Sequence, residues 1–219
     1  MSDMNVQIDL RVAELLSSRL CHDLVGPVGA VNNGLELLED DMDDMDDMGP
    51  EALKLAAESG ARAARALQYF RFAYGMAGSR LGGQLTELRE LAANFFAEDK
   101  FKLVWPDQDI PADTPEDTGK LLLNLLLLGS EALPIGGEMT VGIGAGEGRL
   151  NVALTASGDR AALRDETRPA LVSGVKPEDL TPRNVHAFFT CRVAERLGGD
   201  LAVDESTPGT IRFTVSLPA

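Results

Sequence analysis

The sequence predicts an α+β protein in two parts: an N-terminal helical hairpin, then a half that mixes strands and helices. Three observations predict it. Apolar residues recur every three or four positions up to Tyr74, which is the helical period. The stretch "GMAGSRLGGQL" at 75–85 then has linker composition. Beyond it come short β-prone runs and turn residues, interspersed with helical stretches.

The first helix is expected over residues 6–39. Leu20, Leu24, Val28, Val31, Leu35 and Leu38 fall within about 80° of one another on a helical wheel. An acidic turn, "EDDMDDMDDMGP", follows and ends at a Gly49-Pro50 stop. It lacks the spaced glycine and terminal glutamate of a calcium loop, so a solvated loop is expected, with Met42, Met45 and Met48 in it. The second helix spans 51–74, its inner face made by Leu53, Ala56, Ala57, Gly60, Ala63, Ala64, Leu67 and Phe70. A two-helix hairpin encloses no core, because each helix buries one side only. Pairing with a second copy into a four-helix bundle solves this, so a homodimer is expected.

The second half begins with a helix at 86–98 and a short strand at 102–105. A proline-containing loop leads to a very apolar helix at 116–131. "EMTVGIGAG" and "RLNVALTAS" flank a Gly-Glu-Gly turn at 146–148 and predict a β-hairpin. A helix at 183–197 stops at Gly198-Gly199. Two final strands, "DLAVDE" and "TIRFTVSLP", close the chain. Antiparallel strands with helices over one face are expected. The two parts divide into 1–78 and 79–219.

The bulk properties narrow the function. The 219 residues carry a formal charge of −15, which disfavours nucleic acid and anionic membranes as partners. No apolar run approaches the roughly 18 residues of a membrane span, and the N-terminus has no signal-peptide pattern. Two cysteines, Cys21 and Cys191, make no disulfide framework, so a reducing cytoplasm is the expected compartment. Cys21 is expected as a half-buried helix cysteine rather than a nucleophile.

His22 stands apart. In "SSRLCHDLVGPVGAV" it lies roughly 170° from the centre of the apolar stripe, so it faces solvent. Ser18, Val25, Gly26 and Gly29 share its face, and Arg19 lies at the edge. Each glycine costs about 1 kcal/mol of helix stability relative to alanine, and a proline inside a helix costs about 3 kcal/mol. Pro27 is expected to distort the helix just after the histidine. Such costs beside an exposed histidine suggest local function. A neutral imidazole is nucleophilic near neutral pH and accepts a phosphoryl group on one nitrogen. The adjacent Asp23 supplies a carboxylate for the other, although adjacent helix residues point about 100° apart.

These residues resemble a known family. "HDLVGPVGAV" is similar to the H-box of histidine-kinase dimerisation domains, and the match carries His22, Asp23 and Pro27 over as phosphoacceptor, acid/base partner and kink. "KLLLNLLLLGSEALPIGG" resembles the N-box helix of the kinase ATP-binding domain, and "CRVAERLGGDLAVDESTPGTIRFTVSLP" resembles its closing segment. The departures concern nucleotide. Leu128 replaces the magnesium-holding asparagine four after Asn124, "TASGDRA" replaces the Asp-x-Gly-x-Gly loop, and "LTPRNVHAFF" has no lid glycine. A histidine-bearing hairpin joined to such a kinase-like half resembles the ChpT-type histidine phosphotransferases, whose second-helix end is similar to "FRFAYG" at 70–75.

The resemblance implies a dimeric four-helix bundle followed by a degenerate Bergerat-type α/β sandwich. It implies relay between receiver-domain aspartates through His22, with response-regulator receiver domains as partners. No cofactor is expected on this chain, since Mg2+ would come with the receiver. Ser18, Arg19, Val25, Gly26, Gly29 and Arg71 are expected at the receiver interface, Arg71 on the strength of the resemblance. An ATP-dependent histidine kinase and a non-catalytic receiver scaffold stay open as alternatives. His186 is expected as a partly buried structural histidine, Arg62 and Arg65 as solvated or ion-paired, and Trp105 and the phenylalanines as core.

Overall fold

A computed structural model describes residues 9–40, 49–75, 85–107, 114–146, 148–172 and 174–218. Helix α1 (Leu10–Asp40) and helix α2 (Gly49–Ala73) form the hairpin. The turn predicted between them, with its three methionines, lies outside the described residues at 41–48, as do residues 76–84 and the predicted boundary at 78/79. Gly49-Pro50 does not stop a helix but opens one. Proline suits the first helical turn, where its missing N–H has no partner to lose. Helix α1 runs unbroken through Pro27.

Helices α1 and α2 approach most closely at Gly34. A Cβ there would stand 2.8 Å from the Ala52 carbonyl oxygen and 2.9 Å from the Ala56 nitrogen. The expected inner face of α2 divides in two: Ala56, Ala63 and Phe70 are buried while Ala57 and Ala64 are exposed, and Ala52 and Ala66, not expected there, join the buried set. Leu53 and Leu67 are 59% and 54% exposed. On α1, Val28 and Leu35 are likewise 48% exposed, and Leu10 is 74% exposed. Cys21 lies on the same line of α1 and is exposed rather than half-buried. The predicted stripe is therefore wider than the single groove between two helices.

The C-terminal half is a mixed sheet with helices over one face. Helix α3 (Leu85–Phe95), strand β1 (Phe101–Val104), helix α4 (Thr118–Glu131), strands β2 (Gly137–Gly146) and β3 (Arg149–Ser157), helix α5 (Val185–Arg196), and strands β4 (Leu201–Asp204) and β5 (Thr210–Pro218) follow in order. Two 3-10 turns, Arg168–Leu171 and Pro177–Asp179, precede α5 and were not predicted. The strand order is β1-β2-β3-β5-β4. Three pairings are antiparallel, but β1 runs parallel to β2, so the sheet is mixed rather than wholly antiparallel. The intervening α4 makes that pairing available, since parallel neighbours need a crossover.

Alternation decides which face is covered. Leu150, Val152, Leu154 and Ala156 of β3 are buried and pair with Leu217, Val215, Phe213 and Ile211 of β5. Helix α4 packs on that face against β2 and β3. It is buried all round, from Thr118 to Gly129. Its far side is covered by the hairpin: the Tyr69 hydroxyl donates to the Leu123 carbonyl at 2.7 Å, and the Asn124 amide donates to the Ala73 carbonyl at 2.7 Å. Tyr69 also stacks on Phe95 of α3, with centroids 4.1 Å apart.

Close approach at Gly34 contrasts with Gly26, where a Cβ would meet nothing within 4 Å. Gly26→Ala should raise stability by about 1 kcal/mol through helix propensity. Gly34→Ala gains the same propensity but forces the two helices apart, and overpacking costs about 1–3 kcal/mol. Urea denaturation should therefore move in opposite directions for the two variants.

Candidate functional site

His22 stands on a ridge of α1 between two clefts that the hairpin forms with the C-terminal half. Its side chain is 87% exposed. One cleft, about 680 Å³, runs towards α2, α3 and the end of α4, and the other, about 860 Å³, runs towards the segment before α5. Both contain His22, Asp23 and Arg164. The ridge exists because the wheel turns the apolar side of α1 away, leaving the small Gly26 beside the ring.

Neighbours on the helix nevertheless meet. His22 Nδ1 lies 3.2 Å from Asp23 Oδ1. If Nδ1 carries the proton, it donates to Asp23, and the Nε2 lone pair is left for bonding outside the helix. The other Asp23 oxygen, Oδ2, lies 3.7 Å from Arg19 Nε. Arg19 in turn forms an ion pair with Glu131 at the end of α4 and donates to the Arg183 carbonyl at 3.4 Å. Burial opposes the Arg19 charge, but the nearby Glu131, Tyr74 and Asp23 more than offset it and push the guanidinium pKa up.

Behind Glu131 sits His186, only 1% exposed, with Nδ1 3.8 Å from Glu131 Oε1. It is fully rather than partly buried. Burial first, and the Arg19 charge second, hold its pKa well below the usual imidazole value. Its ring is therefore neutral. Tyr74 is half-buried against the same cluster with its hydroxyl enclosed, and that desolvation raises its phenol pKa. Cys191, on the far side of α5, is buried with its thiol pushed up to about 12 by that burial.

The expected interface residues are distributed unevenly. Ser18, Arg19 and Gly26 line the clefts with His22 and Asp23. Arg19 does not sit free on an open face, since its side chain is 16% exposed and committed to Glu131. Val25, 69% exposed, and Gly29 lie on the same helix without lining either cleft. A Cβ at Gly29 would meet nothing within 4 Å. Arg71 is not brought to the site. It follows Phe70, which does line the first cleft, and one residue further is about 100° round the helix. Its guanidinium lies over the Phe72 ring, 5.5 Å from the centroid.

Sequence reasoning missed the residues that the fold delivers from elsewhere. Arg62, Arg65, Lys100 and Arg164 share the first cleft with Asp23, Glu98, Asp99 and Glu131. Arg65 is ion-paired with Glu98. Four cations against four acids make this cleft locally balanced on a chain of net charge −15. Nothing in the local sequence marks Glu131 or Arg164 as neighbours of His22, which is more than a hundred residues away. Among the described residues, no group of three His, Cys, Asp or Glu side chains is disposed to hold a metal ion, and no helix is long and apolar enough to cross a membrane.

The N-box-like helix and the segments expected to have lost nucleotide contacts have structural uses. Asn124, wholly buried, donates to the Ala73 and Lys120 carbonyls. Leu128 is core, at 1% exposure. Gly158 is closed in, since a Cβ there would stand 2.6 Å from the Gly136 carbonyl oxygen. The glycine-free segment is held at its start by Arg11, whose Nη2 donates to the Leu180 carbonyl at 3.3 Å.

Comparison with known proteins places this architecture. Residues 85–208 match the family described as the histidine phosphotransferase C-terminal domain, and the chain belongs to that family. It is of the ChpT type: it is 34% identical over 197 residues to the protein phosphotransferase ChpT of Brucella abortus (strain 2308), covering 89% of this chain and 90% of that one. A bacterial phosphotransferase solved at 1.7 Å superposes with a TM-score of 0.81 at 28% identity, over 98% of this chain and all of the other. The histidine kinase AdeS of Acinetobacter baumannii shares the fold, with a TM-score of 0.50 at 11% identity.

The neutral, buried His186 sets a pH dependence. Below about pH 6.5 the unfolded chain takes up a proton on this ring that the folded chain refuses, so stability falls as pH drops. The loss approaches about 1.4 kcal/mol per pH unit until the depressed folded pKa is reached. Urea unfolding between pH 7.5 and 5.5 should show this slope in the wild type and a shallower one in His186→Gln.

Proposed function

We propose that this chain is a histidine phosphotransferase that relays phosphoryl groups between receiver-domain aspartates through His22. The observation that carries this reading is the exposed His22 ring with Asp23 at its Nδ1 and open clefts on either side. In the forward step the His22 Nε2 lone pair attacks phosphorus of an aspartyl phosphate. The P–O bond to the receiver breaks, and the aspartate leaves as a carboxylate. The imidazole ring gains positive charge, and Asp23 stabilises it at Nδ1–H. The reverse step delivers the group to the aspartate of a second receiver. Magnesium belongs to the receiver, whose acidic pocket approaches a cleft where the charge of this chain is balanced.

The uses of Asn124 and Leu128 favour relay over ATP-dependent kinase activity. Magnesium needs oxygen ligands, and Leu128 offers a buried methyl-bearing side chain instead. Residues 1–78 serve as the dimerisation and phosphotransfer domain, and 79–219 as a Bergerat-type domain without a nucleotide site. The exposed Leu10, Val28 and Leu35 of α1, with Leu53 and Leu67 of α2, form the face that a second copy covers in a four-helix bundle. Free cysteines suit a reducing cytoplasm.

Incubation with a phosphorylated receiver domain should give acid-labile, base-stable phosphate on the wild type and none on His22→Ala. ATP and magnesium alone should leave the wild type unlabelled. Stable label on His22→Ala would end the assignment of the phosphoacceptor.

The receiver surface on α1 has its own test. Gly29→Trp adds bulk one to two turns from His22 and should abolish transfer, whereas Gly29→Ala should largely keep it. Light scattering should find a dimer in both. Wild-type transfer by a folded, dimeric Gly29→Trp would show that this face is not used.

A further inference from the structure

We infer that Glu131 and Arg19 are positioning residues of the phosphotransfer site: Glu131 of α4 fixes Arg19, and Arg19 orients the Asp23 carboxylate that holds the His22 ring. The inference rests on His22 as phosphoacceptor and adds a role for the C-terminal half inside the reacting centre.

The geometry is a line of contacts. Asp23 divides its two oxygens: Oδ1 lies 3.2 Å from His22 Nδ1, and Oδ2 lies 3.7 Å from Arg19 Nε. Adjacent side chains on a helix do not face each other, so the Asp23 rotamer must be held by something other than the helix. Arg19 is the group that holds it, four residues back and one turn away. An exposed i,i+4 pair contributes only about 0.3–0.5 kcal/mol and would not lock a rotamer. Here the cation is not free to swing. Its ion pair with Glu131 is 16% and 14% exposed at the two side chains, and the guanidinium also donates to the Arg183 carbonyl. The half-buried Tyr74 and the buried His186 wall the pair in, the neutral His186 ring standing 3.8 Å from Glu131 Oε1, beyond hydrogen-bond distance.

Stability alone does not account for the pair. The two halves are already joined by the Tyr69 and Asn124 hydrogen bonds and by apolar packing around α4. A largely buried ion pair is seldom better for stability than apolar residues of the same volume. What apolar residues would not supply is a planar, five-donor cation able to engage two carboxylates at once. Asp23 and Glu131 are those two carboxylates, one beside the histidine and one on the other half of the chain.

Two measurements on the full-length protein test this. The first needs no partner. Imidazole nitrogen shifts of His22 above pH 8 should report a ring biased to the Nδ1–H form in the wild type. In Glu131→Gln and Arg19→Gln they should move towards those of a free imidazole, with Arg19→Lys intermediate. Unchanged shifts in both folded variants would overturn the inference. The second uses a receiver domain phosphorylated with acetyl phosphate. Glu131→Gln should slow transfer about tenfold at saturating receiver, with KM within about twofold. In an Asp23→Asn background the same substitution should cost nothing further, because its effect passes through Asp23. A loss that falls in KM, or two losses that multiply, would instead make Glu131 a docking or purely structural residue. Absence of transfer in the wild type would count against the relay itself, and the ring shifts would still decide the positioning roles.

Discussion

The constraint on which the structure depends is the burial of α4. A helix that reads "TGKLLLNLLLLGSE" has no polar face to turn to water, and from Thr118 to Gly129 it is enclosed. The sheet covers one side only. The other must be covered by something, and the end of α2 does it, with Tyr69 and Asn124 satisfying polar groups that enclosure would otherwise leave unpaired. Burying an unsatisfied carbonyl costs about 1–3 kcal/mol, so these two bonds fix the register of hairpin against sheet as well as joining them.

That register has a chemical consequence. Once α4 is seated on α2, its C-terminal Glu131 pairs with Arg19, less than one turn from His22 on α1. The clefts on either side of the ridge are therefore products of the seam between the halves. Neither half encloses one by itself. Asn124 of α4 and the segment before α5 both bind the hairpin, through Ala73 and Arg11.

Charge follows the same division. The chain is strongly acidic as a whole, yet cations gather at the first cleft, contributed by α2, the loop before β1 and the loop after β3. Their convergence depends on three separate elements meeting at one seam. Arg65 is matched by Glu98 and Arg19 by Glu131. Arg164 is exposed and lines both clefts.

The helices, the β-hairpin, the final strands and the solvent-facing position of His22 were legible in the sequence, because apolar period and wheel position are local properties. Family membership was legible too, since "HDLVGPVGAV" and the closing segment resemble their kinase counterparts although the N-box asparagine is replaced by Leu128. The parallel β1–β2 pairing was not, because it depends on α4 crossing over the sheet. The two-sided character of α2 was not, because Ala56 and Leu53 differ by burial and not by period. That Arg71 lies outside both clefts was not legible, because the resemblance carried no direction, nor was the pairing of Arg19 with Glu131, because a wheel shows a residue's angle but not what another part of the chain sets against it. The sequence by itself determined which way the His22 side chain points, since a histidine opposite an apolar stripe faces solvent. Only the tertiary structure decided what surrounds it, because Glu131 and Arg164 reach His22 through packing between parts of the chain more than a hundred residues apart, and no local pattern encodes that distance.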